Sequence, residues 1–218
     1  MKKIEIETKR MILRPMSDGE IEALMECIDS DELRLNYGEM LNGCKNDPAN
    51  RIWYAPWKMT LKDSGEYVGD FCFKGPVENN SVEIGYGVLP ENDSNGYLTE
   101  ALPAITQWAF GQKDVVFIET ETEPTNLDFQ SVLEKCGFVS DGTGIKGPHF
   151  LIENPLTNWV PTYMLFGIAI GMAMGHLYGQ ILWGMTLGIS LGVLVGMLLN
   201  GSEKKKRETV RKQRNSHT

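Results

Sequence analysis

VEIGYGVLPENDSNGYLTEAL, residues 82–102, contains a strand, a polar loop and a helix in that order. Val82, Ile84, Tyr86 and Val88 alternate with Glu83, Gly85, Gly87 and Leu89, which is the period of an extended chain with two different faces. Pro90 ends that alternation. From Gly96 the pattern restarts at helical spacing, with apolar residues at Leu98, Leu102, Ile105 and Ala109. A helix that begins just past the end of a strand offers its first backbone N–H groups there, an arrangement suited to a phosphate-bearing ligand. On the strand, Gly85 and Gly87 share the side of Glu83 and leave a trough without side chains. That trough reads either as a place where a ligand approaches closely or as an ordinary bulge.

Upstream, Ile4–Thr8 and Met11–Pro15 read as an opening strand kinked at Lys9 and Arg10. Ser17 with Glu20 forms a capping box, and Ile21, Leu24, Met25 and Ile28 continue it as a helix. A second, shorter helix is predicted over Asp31–Leu41. Trp57–Leu61, the turn at 62–65 and Glu66–Phe73 form a hairpin, and a turn at Glu78-Asn79-Asn80 leads into Ser81–Leu89. Downstream, Gly96 to about Phe110 is predicted helical, Val115–Glu121 a strand and Leu127–Lys135 a helix. Gly137-Phe138 and the segment His149–Ile152 would close the sheet. The fold class is therefore α/β, with helices interleaved with a mostly antiparallel sheet.

Charge divides the 218 residues into three pieces. Residues 160–200 contain no Asp, Glu, Lys or Arg, and residues 201–218 carry seven Lys or Arg against two Glu. The first 159 positions are left with a net charge of about −13. The expected divisions are a folded domain over 1–155, an apolar segment over 159–199 and a basic tail over 200–218. An acidic surface argues against nucleic acid, which demands clustered Lys and Arg, and suits a cationic amine or basic peptide. Cys27, Cys44, Cys72 and Cys136 are scattered without metal-ligand spacing, so no metal is expected and a reducing cytoplasmic setting fits. His149, His176 and His217 are isolated and receive no role.

RMILRPM near the start, EIGYGVLP, NGYLTEAL and N-x6-LEKCGF at Asn126–Phe138, in that order, resemble the GNAT superfamily of acetyl-CoA-dependent N-acetyltransferases. The resemblance covers roughly residues 4–152 and is nearest to the branch of ribosomal-protein N-terminal acetyltransferases. It implies that the pantetheine arm of acetyl-CoA lies along the Val82–Leu89 strand. A backbone N–H near Val88 would bind the developing oxyanion of the thioester, an interaction that contributes about 3 kcal/mol in such sites. The pyrophosphate would rest on Ser94, Asn95, Gly96, Tyr97, Leu98 and Thr99. Asn126 either touches the cofactor or caps the helix that follows it. Glu83 is the candidate base, since the attacking amine must be neutral; the alternative is a solvated carboxylate on a sheet face.

The chain also departs from the family pattern. Asp93 stands where a Gln or Arg is usual, and a carboxylate about 4 Å from a pyrophosphate would oppose binding by roughly ten- to thousand-fold if it points inward. Leu98 replaces a small residue, Phe129 a Ser, and Leu133 the Tyr that often protonates the departing thiolate. These departures keep open a second reading, a non-catalytic GNAT-fold module that binds a ligand or protein.

Glycines recur at 167, 171, 175 and 179 and again at 184, 188, 192 and 196. Spacing of four aligns each set on one helix face, the pattern of helices that pack closely in lipid. One helix over 159–199 would be about 60 Å long, twice the hydrocarbon thickness, so two crossings are predicted, near 159–177 and 181–199. The basic tail and the front domain then share the cytoplasmic side, the protein being a multi-pass membrane protein in contact with lipid. The glycine faces could also join copies into a homo-oligomer, and a third reading makes such assembly the main task. The leading expectation is a membrane-tethered transferase moving an acetyl group from acetyl-CoA to a primary amine of a small molecule or peptide N-terminus.

Overall fold

The computed structural model describes residues 4–88 and 95–215, and the chain forms two units, Met1–Asn154 and Pro155–Thr218. The first holds β1 (Ile6–Glu7), β2 (Met11–Pro15), α1 (Asp18–Cys27), α2 (Asp31–Asn46), β3 (Trp57–Leu61), β4 (Tyr67–Phe73) and β5 (Ser81–Val88). It continues with α3 (Tyr97–Phe110), β6 (Phe117–Glu121), α4 (Leu127–Lys135), β7 (Val139–Thr143) and β8 (Pro148–Glu153). The strands form one eight-stranded sheet in the order β1-β2-β3-β4-β5-β6-β8-β7. All neighbours are antiparallel except β5 and β6, which α3 connects as a parallel pair.

The sequence pattern has physical counterparts. Ser17 and Glu20 form both hydrogen bonds of the capping box. Asn79 and Asn80, both at positive φ, make the two-residue turn before β5. Three predictions change. The expected kink at Lys9–Arg10 is a chain reversal that pairs β1 with β2. The sheet closes with a hairpin, β7–β8, whose first strand begins just after Phe138. α2 runs to Asn46 rather than Leu41, because its last turns bury Leu41 and Cys44. Gly43 breaks the helical signal there, yet a Cβ on it would strike the Tyr54 ring. Packing outweighs propensity.

Alternation sorts the central strands by face. Phe71, Phe73, Val82 and Ile84 point towards α3 and α4 and join Trp57, Leu98, Leu102, Ile105, Phe129 and Leu133 in the main core. Asp70, Cys72, Glu83, Gly85 and Gly87 lie on the opposite face, where α1 and α2 cover a smaller apolar cluster around Ile21, Leu41 and Ala55. The β3–β4 ladder is irregular at one point. Met59 pairs with Gly69 but Thr60 pairs with Tyr67, so β4 carries one extra residue, Val68, with Gly69 at φ 150°. That bulge switches the parity of β4 and puts Tyr67 on the same face as Asp70.

The second unit is a helical hairpin, α5 (Trp159–Leu177) and α6 (Ile181–Asn215), turned at Gly179 with φ 69°. α6 runs without a break through the basic tail, about 52 Å in all. The two helices meet backbone to backbone: a Cβ on Gly167 would run into the Gly188 carbonyl, and one on Gly171 into that of Gly184. Gly192 and Gly196 face Tyr163 and Val160 in the same way. The glycine faces are thus occupied within the hairpin, and the apolar side chains outside it, such as Phe166, Ile170, Leu187 and Leu191, are exposed. Val160–Leu177 and the start of the Ile181–Arg214 segment are long and apolar enough to cross a membrane, with only 11% of each apolar window buried.

Candidate functional site

β5 and β6 pair only at Ser81–Phe117, Val82–Ile118 and Glu83–Glu119, and then separate. β5 continues to Val88, still paired with β4, so the edge that β6 leaves begins in the middle of the strand. Which groups face that edge is settled by one hydrogen bond. Lys74 N donates to Glu83 O at 3.0 Å, in register with the β4–β5 ladder, so that pair is hydrogen-bonded. Antiparallel pairs alternate, hence Gly85 and Gly87 also turn their peptide groups to β4, while Tyr86 and Val88 turn theirs to the edge that β6 vacates. The register is unbroken from Val88 to Ile84, so the glycines of β5 do not mark a bulge. Gly85 has a packing reason, since a Cβ there would lie 2.9 Å from Cys72 Sγ. Gly87 faces open space apart from Asp70 Oδ1, 3.8 Å from where its Cβ would be.

The gap between the strands is bridged from below. Asn126 caps α4 by accepting from Phe129 N at 3.1 Å, and its Nδ2 donates to the Tyr86 hydroxyl at 2.8 Å. Tyr86 stacks on Phe129 with centroids 3.6 Å apart. Asn126 is therefore a cap and a tie between α4 and β5. Leu133 and Phe129 are buried, so the positions from which relatives would present a Tyr and a Ser belong to the core here.

Beyond the open edge, α3 starts at Gly96, which adopts φ 68° and provides no side-chain cap. Among the described residues no side chain caps its first N–H groups, which suit an anionic ligand. Leu98 is 8% exposed and packs into the main core, so its size does not crowd those groups. Thr99 is exposed beside them. Sequence reasoning missed Arg10, which the β1–β2 reversal brings to this helix start. Its guanidinium lies 4.6 Å over the Tyr97 ring, donates to Asn95 O at 3.1 Å and pairs with Glu100 at 2.6 Å. Asp93 and Ser94 lie outside the described residues.

On the trough side, α2 and strands β4 and β5 enclose a cleft of about 560 Å³, within the usual range for small-ligand sites. Tyr37 and Met40 form its helix wall, Asp70 and Cys72 its floor, and Lys74 and Lys146 stand at the margin. Glu83 is on the trough side as its alternation requires, but its carboxylate is held by Lys74. Val88 lies five positions further on, roughly 16 Å along an extended strand. Asp70, cross-strand from Gly87, is far closer to that end. Burial, followed by the nearby Asp70 carboxylate, pushes the Cys72 thiol up to about 12, so it remains protonated. His149 is not isolated: its Nε2 lies 3.1 Å from Glu119 and its Nδ1 3.6 Å from Asp141, which ties β8 to β6 and β7. Among the described residues no three His, Cys, Asp or Glu side chains gather as a metal would require.

The described residues thus form a split between two parallel strands, bordered by the start of α3 and backed by a cleft. Residues 10–139, more than half of the chain, match the acetyltransferase (GNAT) domain, and the chain belongs to that family. It is 33% identical over 96 residues to YjdG of Bacillus subtilis, named an uncharacterized N-acetyltransferase; the match spans 44% of this chain and 57% of that protein. YoaA of the same organism, named in the same way, is 26% identical over 148 residues, covering 63% of this chain and 84% of its own. Among solved structures, RimL, a ribosomal L7/L12 α-N-protein acetyltransferase in complex with coenzyme A, is 14% identical. It superposes with a TM-score of 0.54 over 69% of this chain and 98% of its own.

Proposed function

We propose that the front domain transfers an acetyl group from acetyl-CoA to a primary amine, of a small molecule or of a peptide N-terminus, while the hairpin holds it at a membrane. The observation that carries the transferase reading is the divergence of β5 and β6 after Glu83 and Glu119, which leaves an edge to which the Val88 N–H points. An extended pantetheine chain matches that edge as an added strand would. The α3 start at Gly96–Thr99, with Asn95 and Ser94 before it, would hold the pyrophosphate, and Asn126 would sit beneath the arm. Arg10 supplies a cation at this helix start, in a chain whose sequence has Asp93 in place of the family's Gln or Arg. The net charge of about −13 on the first 159 residues favours a cationic acceptor.

Titration of the detergent-solubilised chain with acetyl-CoA tests this reading: micromolar binding supports it, and no heat at millimolar ligand rejects it. Arg10→Ala should weaken acetyl-CoA binding about tenfold. A unit charge near a protein surface contributes about 1–4 kcal/mol, and Glu100 already offsets part of it. Unchanged affinity in the variant would remove Arg10 from the site. The second reading, a binding module without turnover, is favoured by the burial of Leu133, which leaves that position of α4 with no hydroxyl for the departing thiolate. Binding of acetyl-CoA without thiol release in the presence of amines would select it.

For the hairpin, membrane insertion is favoured by exposed Phe166, Ile170, Leu187 and Leu191, which a soluble helix pair would leave in water. Lys204, Lys205, Lys206 and Arg207 keep the C-terminal part of α6 in the cytoplasm, and an even number of crossings keeps the front domain there too. The full chain should float with vesicles through alkaline carbonate extraction. Release into the supernatant would make the hairpin a soluble packing element instead.

A further inference from the structure

We propose that Asp70 receives the acceptor as an ammonium ion at the floor of the α2–β4–β5 cleft and takes its proton. This rests on the acetyltransferase reading and names the group that selects its substrate. Asp70 is 4% exposed, yet it lines the cleft. Its Oδ2 accepts hydrogen bonds from both Tyr37, at 2.7 Å, and Tyr67. Its Oδ1 accepts none among the described residues and looks onto the space that Gly87 leaves empty, one residue from Val88. The carboxylate is thus gripped by one oxygen and presented by the other.

No cation among the described residues neutralises it. Lys58 is its cross-strand partner on β3, but the Lys58 ammonium is bonded to Glu20 of α1 at 2.9 Å. Lys74 is bonded to Glu83. α2 contributes Glu39 and the Tyr37 hydroxyl to the cleft, and β4 contributes Tyr67 and the protonated Cys72. Lys146, at the rim, is the remaining cation of the lining. A buried carboxylate with one unsatisfied oxygen and no paired cation is held at a cost, which a bound ammonium removes. Burial, against the opposing effect of the Tyr37 and Tyr67 hydrogen bonds, raises the Asp70 pKa, which makes it a better proton acceptor. Burial and then the Asp70 charge raise both tyrosines as well, so they stay protonated and continue to donate.

The balance is complete without another reagent. Asp70 Oδ1 takes one proton from R–NH3⁺, and the freed lone pair attacks the thioester carbonyl carbon to form the C–N bond. The C–S bond breaks with its electron pair going to sulfur, which takes the second nitrogen proton and leaves as the free thiol. Asp70 returns its proton to water, so one proton is released per amide formed.

The experiment compares the full-length chain with Asp70→Asn, which keeps an oxygen for Tyr37 and Tyr67 and removes the charge. Acetyl-CoA binding is measured first, by calorimetry. Thiol release is then followed with n-butylamine, 1,4-diaminobutane and short peptides with free N-termini as acceptors. The expected result is acetyl-CoA affinity within twofold of wild type and an amine kcat/KM lower by roughly a hundredfold or more. The wild-type rate should rise with pH through a limb above the ordinary aspartate range, and the variant should lack that limb. Diamine against peptide turnover identifies the source of the ammonium.

A second readout needs no substrate. An acid whose folded pKa is raised binds more protons in the folded state, so wild-type stability falls as pH rises from the unfolded value to the folded one. Thermal melts of Asp70→Asn should lack that fall. Should wild type bind acetyl-CoA while Asp70→Asn acetylates amines at an unchanged rate, or should no amine be acetylated, the proposal is overturned. Failure to bind acetyl-CoA at all overturns the transferase reading beneath it, a separate outcome.

Discussion

Val88→Pro should lower kcat for acetyl transfer by about a hundred- to a thousandfold and leave the fold intact. The loss is that of one donor in an oxyanion hole, about 3–4 kcal/mol at the transition state. The fold survives because of the ladder alternation. Lys74–Glu83 is a hydrogen-bonded pair, so Gly85 and Gly87 donate to β4 and Val88 does not. Proline at position 88 therefore removes an N–H that the sheet does not use, at the last residue of a strand, where its ring is tolerated. Gly87 is already extended there, as the residue before a proline must be. Two controls isolate the effect. Val88→Ala retains the N–H and should stay within threefold of wild type. Gly87→Pro removes a ladder donor and should lower the melting temperature by several degrees. Circular dichroism and thiol-release kinetics on the three variants read both quantities, and a Val88→Pro enzyme with unaltered kcat would place the oxyanion elsewhere.

The parts of this site that sequence could locate are those whose logic is local. The alternation of Val82–Val88, the restart at Gly96 and the Asn126 cap each depend on neighbours within a few residues, and each recurs in the structure. Glu83 shows the limit of that logic. Its face was legible from parity, but its pairing with Lys74 and its distance from Val88 depend on the strand beside it. Asp70 was hidden for two reasons. YVGDFCF alternates like any half-buried strand, and a carboxylate at an inner position reads as the exposed face. The groups that make it a buried acceptor come from 33 residues upstream, through Tyr37, and from Tyr67, whose face is set by a bulge that no periodicity announces. Arg10 sits in a polar pair whose local pattern reads as a kink; only the β1–β2 reversal carries it to the start of α3, 85 residues from its partner Asn95. The C-terminal helix shows the converse. A change of composition at Gly201 suggested a boundary, yet good helix formers continue α6 across it.

Gly171→Leu should separate α5 from α6, and its effect should be the largest of any single substitution in the second unit. A Cβ at this position would collide with the Gly184 carbonyl and lie 3.2 Å from the Gly188 Cα. These are backbone atoms of a facing helix and cannot move as a side-chain end would. The helices must therefore part, and parting at Gly171 also opens the contacts at Gly167 and Gly175, because the helices are rigid over a few turns. Overpacking of this kind typically costs 1–3 kcal/mol, about a ten- to hundredfold change in the closed-to-open ratio, and more where neighbouring contacts are lost together. Gly201→Leu is the control, since a Cβ there meets nothing within 4 Å. Dipolar broadening in membranes between spin labels placed on the exposed side of each helix, at Phe166 and Leu191, reports the approach of the helices. It should fall strongly in Gly171→Leu and stay at the parent level in Gly201→Leu. Equal broadening in both variants would mean that backbone proximity does not hold the hairpin. In that case the glycine faces would be left to serve contacts with other chains, which the closed hairpin otherwise denies them.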